Sequence, residues 1–278
     1  MIEIRTCRGF DELQACVELQ VETWGYDPTD LVPKKTFLLA QKIGGQVIGA
    51  FNTEKKSENK DQGSDNEETA SQMVGFAMAI PGIKNTATGP KTYLHSHMLA
   101  VKEGYRNQGL GMRLKLEQRL EALSRGIRYM EWAFDPLEIK NAYLNIHRLG
   151  AVAREYRPDF YGVSSSRLQG GLPTDRLLAQ WELDSPRVNA ILARQPAAAY
   201  TIEERIHIPA SVDEWKANQA SRNRALAVQT ENRQKFQQAF SRGLAVLGFS
   251  RDAEGNGVFE LGFPRLAEET SSSRRGIL

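Results

Sequence analysis

The chain opens on a short apolar stretch, residues 2–7, followed by Phe10, Leu13, Val17, Val21 and Trp24 at helical spacing. That order predicts a first strand and a helix with one apolar face. Gly25-Tyr26-Asp27-Pro28 breaks the pattern into a polar loop over 27–35. Residues 37–42 and 46–52 are two compact apolar runs joined through Ile43-Gly44-Gly45, which predicts a pair of strands in a hairpin. Segment 54–71 is almost devoid of apolar residues and too polar to offset the cost of ordering, so it is expected to be a mobile loop. Apolar character resumes over 73–80, breaks at a Gly/Thr/Asn-rich turn at 82–89, and returns at Met98, Leu99, Ala100 and Val101. Beyond a polar turn, Met112, Leu116, Leu120 and Leu123 recur every three or four positions and predict a helix that stops at Ser124-Arg125-Gly126. Strands are expected at 128–135, 151–156 and 177–183, with a helix over 141–150 closed by Gly150.

The pattern continues after residue 185. Ile202, Ile206 and Ile208 predict a strand. Ser211-x-x-Glu214 is a capping box that predicts one long helix, with Val212, Trp215, Leu226, Phe236 and Phe240 on its stripe. Residues 244–250 and 258–263 then predict a hairpin, and the tail after Pro264 is charged and serine-rich. Arg222 and Arg233 interrupt the apolar stripe, so that helix either has a solvated edge or meets an acidic partner or the first domain. The chain therefore divides into a first domain, 1–185, and a smaller strand-helix-hairpin extension, 186–278.

Composition narrows the class. With 278 residues and a net charge of +2, the chain is not built chiefly for nucleic acid. It shows no basic-then-apolar leader and no apolar run near the ~20 residues of a membrane span. Cys7 and Cys16 are the only cysteines, with no CxxC and no His/Cys grouping at metal spacing. A reduced, cytoplasmic protein without metal is the expectation.

The chemistry concentrates at 96–116, SHMLAVKEGYRNQGLGMRLKL. A strand, a glycine-bearing loop and a helix bring free backbone N–H groups and a positive helix end to one point, which attracts phosphate. Gly109 and Gly111 lack a Cβ and let a bulky anion approach, and Arg106 adds a full charge. The loop is neither G-x-x-x-x-G-K-S/T nor G-x-G-x-x-G, so a nucleoside triphosphate cradle and a dinucleotide fingerprint are both excluded.

Arg106-x-x-Gly109-x-Gly111, with its flanking strand and helix, resembles the pyrophosphate loop of the GCN5-related N-acetyltransferase (GNAT) superfamily. Together with DPLEIKNAYLN from Asp135 and LGAVAR from Leu149, it is similar to a poorly characterised bacterial branch of that superfamily. The resemblance covers 1–185. It implies an α/β (α+β) fold: a mixed, mostly antiparallel twisted sheet flanked by helices, splayed open near the loop. The family has three strands in the run before the loop, against the four counted here. The resemblance also implies acetyl-CoA or another acyl-CoA as co-substrate, and an amine acceptor. Coenzyme contacts would come from Met98, Leu99, Val101, Arg106, Asn107, Gln108, Gly109, Leu110, Gly111 and Met112, and from Asn141 along the pantetheine arm. The family's acid, a tyrosine four residues before the glycine, is replaced by Ile146. The extension resembles half of a second such unit, without a coenzyme loop.

Acyl transfer to an amine needs a base. His97, on the strand entering the loop, and Glu131, in mid-strand, are the candidates; His95 shares the face of His97. Tyr143, one turn before Ile146, is the candidate acid. Three readings stay open: an N-acyltransferase, an acyl-CoA sensor that kept the loop and lost the acid, and an RNA-associated protein using its basic C-terminal helix. No membrane partner is expected, nucleic acid is disfavoured by the charge, and a homo-oligomer is compatible with the sequence.

Overall fold

The computed structural model describes residues 1–53, 71–86 and 89–264. The expected mobile loop, apart from Ser71, and the tail beyond Pro264 lie outside the described residues. One ten-stranded sheet organises the chain, in the order β1-β2-β3-β4-β5-β7-β6-β9-β10-β8. Its strands are β1 (Ile2–Thr6), β2 (Gln46–Asn52), β3 (Gln72–Thr86), β4 (Gly89–Val101), β5 (Tyr129–Phe134), β6 (Val152–Arg157), β7 (Arg176–Glu182), β8 (Glu204–Ile208), β9 (Ala245–Arg251) and β10 (Gly257–Gly262). Every pairing is antiparallel except β4 with β5. The fold class is therefore the expected one.

Helices α1 (Gly9–Trp24) and α2 (Lys34–Lys42) cover one face of β2–β4, burying Leu13, Cys16, Leu19 and Phe37 against Phe51, Phe76 and Met78. Helix α3 (Leu110–Ser124) covers the other face, with Leu110 and Leu114 against Ile48, Val74 and Ala77. The hydrophobic runs of β2 and β3 are buried throughout for this reason: both sides of the sheet are roofed.

Several expectations are corrected. Residues 37–42 are helical, within α2. Phe37 and Ala40 point inward at i, i+3 while Leu38 and Leu39 stay exposed, so the run Phe-Leu-Leu is one turn of helix. The hairpin through Gly44-Gly45 disappears with it, and the run between α2 and the glycine loop holds three strands, β2 to β4, not four. The turn at 82–89 is shorter: β3 continues to Thr86, which pairs with Gly89. On α1 the buried face is Leu13, Cys16, Leu19, Gln20 and Thr23, whereas Phe10 and Val21 are exposed. The long C-terminal helix is two, α6 (Val212–Ala217) and α7 (Arg222–Ser241), and the Ser211 hydroxyl makes no cap bond.

Strands β9, β10 and β8 prolong the same sheet, β9 lying beside β6 through Ala153 and Val246. Packed behind them, α7 sets Phe236 between Tyr156 and Phe259. Arg233, half-buried, turns to the first domain. Its guanidinium grips the fully buried Asp175 through two bonds of 2.8 and 2.9 Å, and Tyr156 Oη donates to the same carboxylate at 2.6 Å.

Candidate active site

β4 and β5 are hydrogen-bonded only through Leu94–Met130 and His95–Glu131. Beyond that fork the two strands diverge, so the backbone groups of β4 that face β5 meet no strand. Register against β3 also slips there: Ile80 faces His95 and Met78 faces Met98. Two residues of β4, Ser96 and His97, therefore oppose Ala79 alone. This bulge kinks the strand and turns its amide groups toward the opening. A cleft of about 480 Å³ occupies the fork, with Ser96, His97, Met98 and Leu99 on one wall and Trp132, Ala133 and Phe134 on the other.

The glycine loop closes the open end of this fork. Gly109 is the N-cap of α3 at φ 77°, a left-handed conformation that favours glycine, and a Cβ there would meet nothing within 4 Å. The first N–H groups of α3, from Leu110, Gly111 and Met112, have no partner inside the helix and emerge at this point. A Cβ on Gly111 would touch Leu99 and Leu144, both cleft-lining, so the loop and the cleft are contiguous. Asn107 also takes a left-handed turn, at φ 61°, and Gln108 Nε2 donates to Gly104 O. Arg106 is exposed, and its Nε donates to Val101 O at 3.0 Å, which holds the guanidinium beside the loop. A cation, a helix N-terminus and an open glycine at the mouth of a fork form a site for a polyanion with a long apolar arm.

In strand order, fork and loop, the fold is the one the acetyltransferase resemblance implies. No protein-family model and no curated protein matches the chain. Solved structures that align with it include a GNAT family acetyltransferase from Elizabethkingia anophelis with acetyl-CoA bound: 17% identity, 65% of this chain and 97% of that one, TM-score 0.41. Another is the Salmonella typhimurium protein yncA with its cofactor acetyl-CoA: 16% identity, 66% of this chain and 95% of that one, TM-score 0.46.

Of the residues singled out in the sequence, His97 stands in the cleft wall. Solvent reaches its ring, yet the surrounding walls crowd it. That desolvation, with the charge of nearby His95, holds its pKa below the ordinary value and favours the neutral imidazole. The two rings are 6.4 Å apart. Glu131 is elsewhere, outside the cleft lining. It accepts hydrogen bonds from Lys84 Nζ and Tyr129 Oη, each at 3.2 Å, with His95 Nδ1 at 3.8 Å. His95, Lys84 and Tyr129 together hold its carboxyl at about 2, although the His95 distance is that of a charge neighbour, not of a hydrogen bond. A carboxylate so held ties β3, β4 and β5 together. The Tyr143 ring stacks on His147 at 4.6 Å and does not line the cleft. Ile146 is fully buried in the core.

The reason lies in the helix. After α4 (Ile139–Ala142) the chain widens into a π-helical stretch, Tyr143–Arg148, before Gly150 reverses it at φ 76°. One extra residue in the turn changes which side chains face inward. Asn141, Leu144 and Asn145 line the cleft, and Asn145 is almost wholly buried.

Other cleft residues escaped the sequence reading. Gln20 holds the 25–33 loop by bonding both Val32 N and Val32 O, which brings Trp24, Tyr26 and Asp30 over the cleft. Opposite, Ser165 bonds Asp30 through its N–H and its hydroxyl, both at 2.7 Å, and these bonds hold the Asp30 carboxyl below its usual range. The 161–169 loop thereby forms the second half of a roof. Tyr26 and Tyr161 face inward, their phenols pushed up by burial. Behind the wall residues Asp135 and Glu138, Lys216 of α6 bonds Asp135 at 2.8 Å and Glu138 at 2.7 Å. Burial raises Glu138 and opposes the charge on Lys216, yet the two carboxylates together keep Lys216 above its ordinary value. Lys115 and Ser96 stand at the fork itself. Their sequence signal was the polar pair Lys115 and Gln118 on the buried stripe of α3 (Leu110, Leu114, Lys115, Gln118, Ala122), overshadowed by the all-apolar series ending at Leu120 and Leu123. Among the described residues there is no His/Cys/Asp/Glu grouping able to hold a metal, and no helix long and apolar enough to cross a membrane.

Proposed function

We propose that the chain is an acyl-CoA-dependent N-acyltransferase acting on an amine. The single observation that carries this reading is the fork: two strands that part beside a bulge, with an anion site at the open end. The diphosphate of coenzyme A would sit on the N–H groups of Gly109, Leu110, Gly111 and Met112 beside Arg106, over Asn107 and Gln108. The pantetheine arm would run between β4 and β5, alongside Val101, Leu99 and Met98 on one side and Asn141 on the other. Backbone N–H groups at the bulge would polarise the thioester carbonyl.

In the reaction, the free amine attacks the carbonyl carbon, a C–N bond forms and the C–S bond breaks. His97, neutral and open to the cleft, takes the proton that the ammonium must lose, directly or through water. With Ile146 in the core and Tyr143 half-buried against it and stacked on His147, outside the cleft lining, the departing thiolate takes its proton from water. The same loss of a tyrosine acid supports the second reading, an acyl-CoA sensor without turnover.

Calorimetry with acetyl-CoA tests the common ground of both. Wild type is expected to bind, and Gly109→Glu, which sets bulk and negative charge where the diphosphate lies, is expected to weaken binding at least ten-fold. Unchanged affinity in a folded variant would remove the acyl-CoA site. Acceptor-dependent thiol release over a panel of amines, polyamines, amino acids and peptides then separates enzyme from sensor.

A further inference from the structure

Two lysines are buried at the cleft, Lys115 in its wall and Lys216 behind the wall residues Asp135 and Glu138, and they are treated differently. Lys216 meets two carboxylates. Lys115, 3% exposed, meets none: it has no ion-pair partner among the described residues. Its Nζ donates to Ser96 Oγ at 2.8 Å and lies 3.7 Å from the centroid of the Trp132 ring. Ser96 in turn donates to Gln118 Oε1 at 2.9 Å, so its hydroxyl is fixed to accept from the lysine. An ammonium has three donors. Here one has an acceptor and the aromatic face offers partial compensation for the charge. A buried, uncompensated cation is costly, and desolvation alone pulls this amine well below its ordinary pKa. The described residues build a place for a negative charge that none of them fills.

The position of that place says what would fill it. Ser96 and Trp132 are the first residues after the last β4–β5 bonds, at the closed end of the fork, and all three side chains line the cleft. On the acyl-CoA reading, on which this inference rests, the diphosphate lies at the opposite end, beside Gly109–Gly111. A thioester carbonyl at the bulge then directs its acyl tail toward Lys115. We propose that Lys115, with Ser96 and the face of Trp132, receives a carboxylate at the end of that tail, so that the donor is the coenzyme A monothioester of a short dicarboxylic acid. The carboxylate accepts a charge-assisted hydrogen bond from Nζ and takes no part in the bond changes. The acceptor nitrogen gains the acyl carbon, coenzyme A leaves as the thiol, and the amide product keeps a free carboxylate.

The test compares succinyl-CoA with butyryl-CoA, of equal chain length but neutral, and with acetyl-CoA and free coenzyme A, by calorimetry and then by thiol release over the amine panel. Wild type is expected to prefer succinyl-CoA to butyryl-CoA by at least ten-fold. Lys115→Met should erase that preference while leaving the affinity for free coenzyme A within about two-fold. Ser96→Ala, a smaller change that keeps the lysine, should weaken the preference without abolishing it. Preference of the wild type for a neutral acyl group would overturn the proposal without needing any variant. A Lys115→Met variant that slows every donor equally would overturn it too, and would make Lys115 a proton carrier. Failure of free coenzyme A to bind wild type would overturn the acyl-CoA reading beneath it, a result distinct from binding without discrimination.

Discussion

At the residue scale, the division of labour among the polar side chains follows from how each is paired. Glu131 is fully engaged by Lys84, Tyr129 and the nearby His95, so it holds β3, β4 and β5 together and has no affinity left for a proton near neutral pH. His97 has the opposite character: it lines the cleft and desolvation leaves it neutral. His97→Ala is expected to lower turnover by about 10²-fold or more, the lower end for a general base, with coenzyme affinity nearly intact. Because the neutral imidazole is the active form, kcat/KM should fall as pH drops through the His97 pKa. That value lies below the ordinary ~6.5 for histidine, and the acid limb should vanish in the alanine variant. Glu131→Gln should leave turnover at neutral pH within a few-fold. A full loss in Glu131→Gln with an active His97→Ala would reverse the two roles. The loop residues Arg106, Gly109 and Gly111 were legible in the sequence because glycine and arginine at a strand-helix junction have few purposes. Lys115 was not, since one lysine in a helix gives no sign of burial until its neighbours Trp132 and Ser96 arrive from other strands.

At the scale of elements, short apolar runs misled and flanked periodic ones did not. β5, bounded by Gly126 and Pro136, was predicted almost to the residue, whereas α2 read as a strand because Phe37-Leu38-Leu39 hides an i, i+3 pattern only two positions long. The widening of the helix at Tyr143–Arg148 has no sequence signature at all; there Asn145 lines the cleft while Ile146 is buried in the core. α6 offers the sharpest test at this scale. It contributes Lys216, with its side chain 4% exposed, as the cation between Asp135 and Glu138 on the β5–α4 connection. Lys216→Met keeps the length of the side chain but strands two half-buried carboxylates. Removing one partner of such a group typically costs about 3–5 kcal/mol, and urea denaturation should register a loss of that order. A double variant, Lys216→Met with Glu138→Gln, should recover part of it. A loss below about 1 kcal/mol would mean that water already screens the trio.

For the molecule as a whole, the question is what the strands after residue 185 are for. The sequence presented them as an appended unit, and nothing local foretold that β9 would lie beside β6 or that α7 would reach Asp175. Both depend on contacts between residues more than 50 positions apart. Yet one apolar core runs through both segments, with Met130, Trp132, Phe134 and Tyr156 sharing it with Ile206, Val212, Phe236, Phe249 and Phe259. Polar ties cross the same seam: Arg233 to Asp175, Lys216 to Asp135 and Glu138, Arg187 to Gly150 O, and Gln229 to Pro173 O. Removal of α6 and α7 would expose that core and leave Asp175 buried without its cation. Residues 1–185 and 186–264 should therefore unfold in a single cooperative transition, with one calorimetric peak whose van't Hoff and calorimetric enthalpies agree. A chain ending at residue 185 should be poorly soluble or lack a sharp transition, because β6 would become an open edge beside an uncovered apolar face. Two separable peaks, or a well-folded 1–185 fragment that binds acetyl-CoA with the affinity of the full chain, would show instead that the cleft, lined by residues up to Arg176, stands without the strands and helices that follow it.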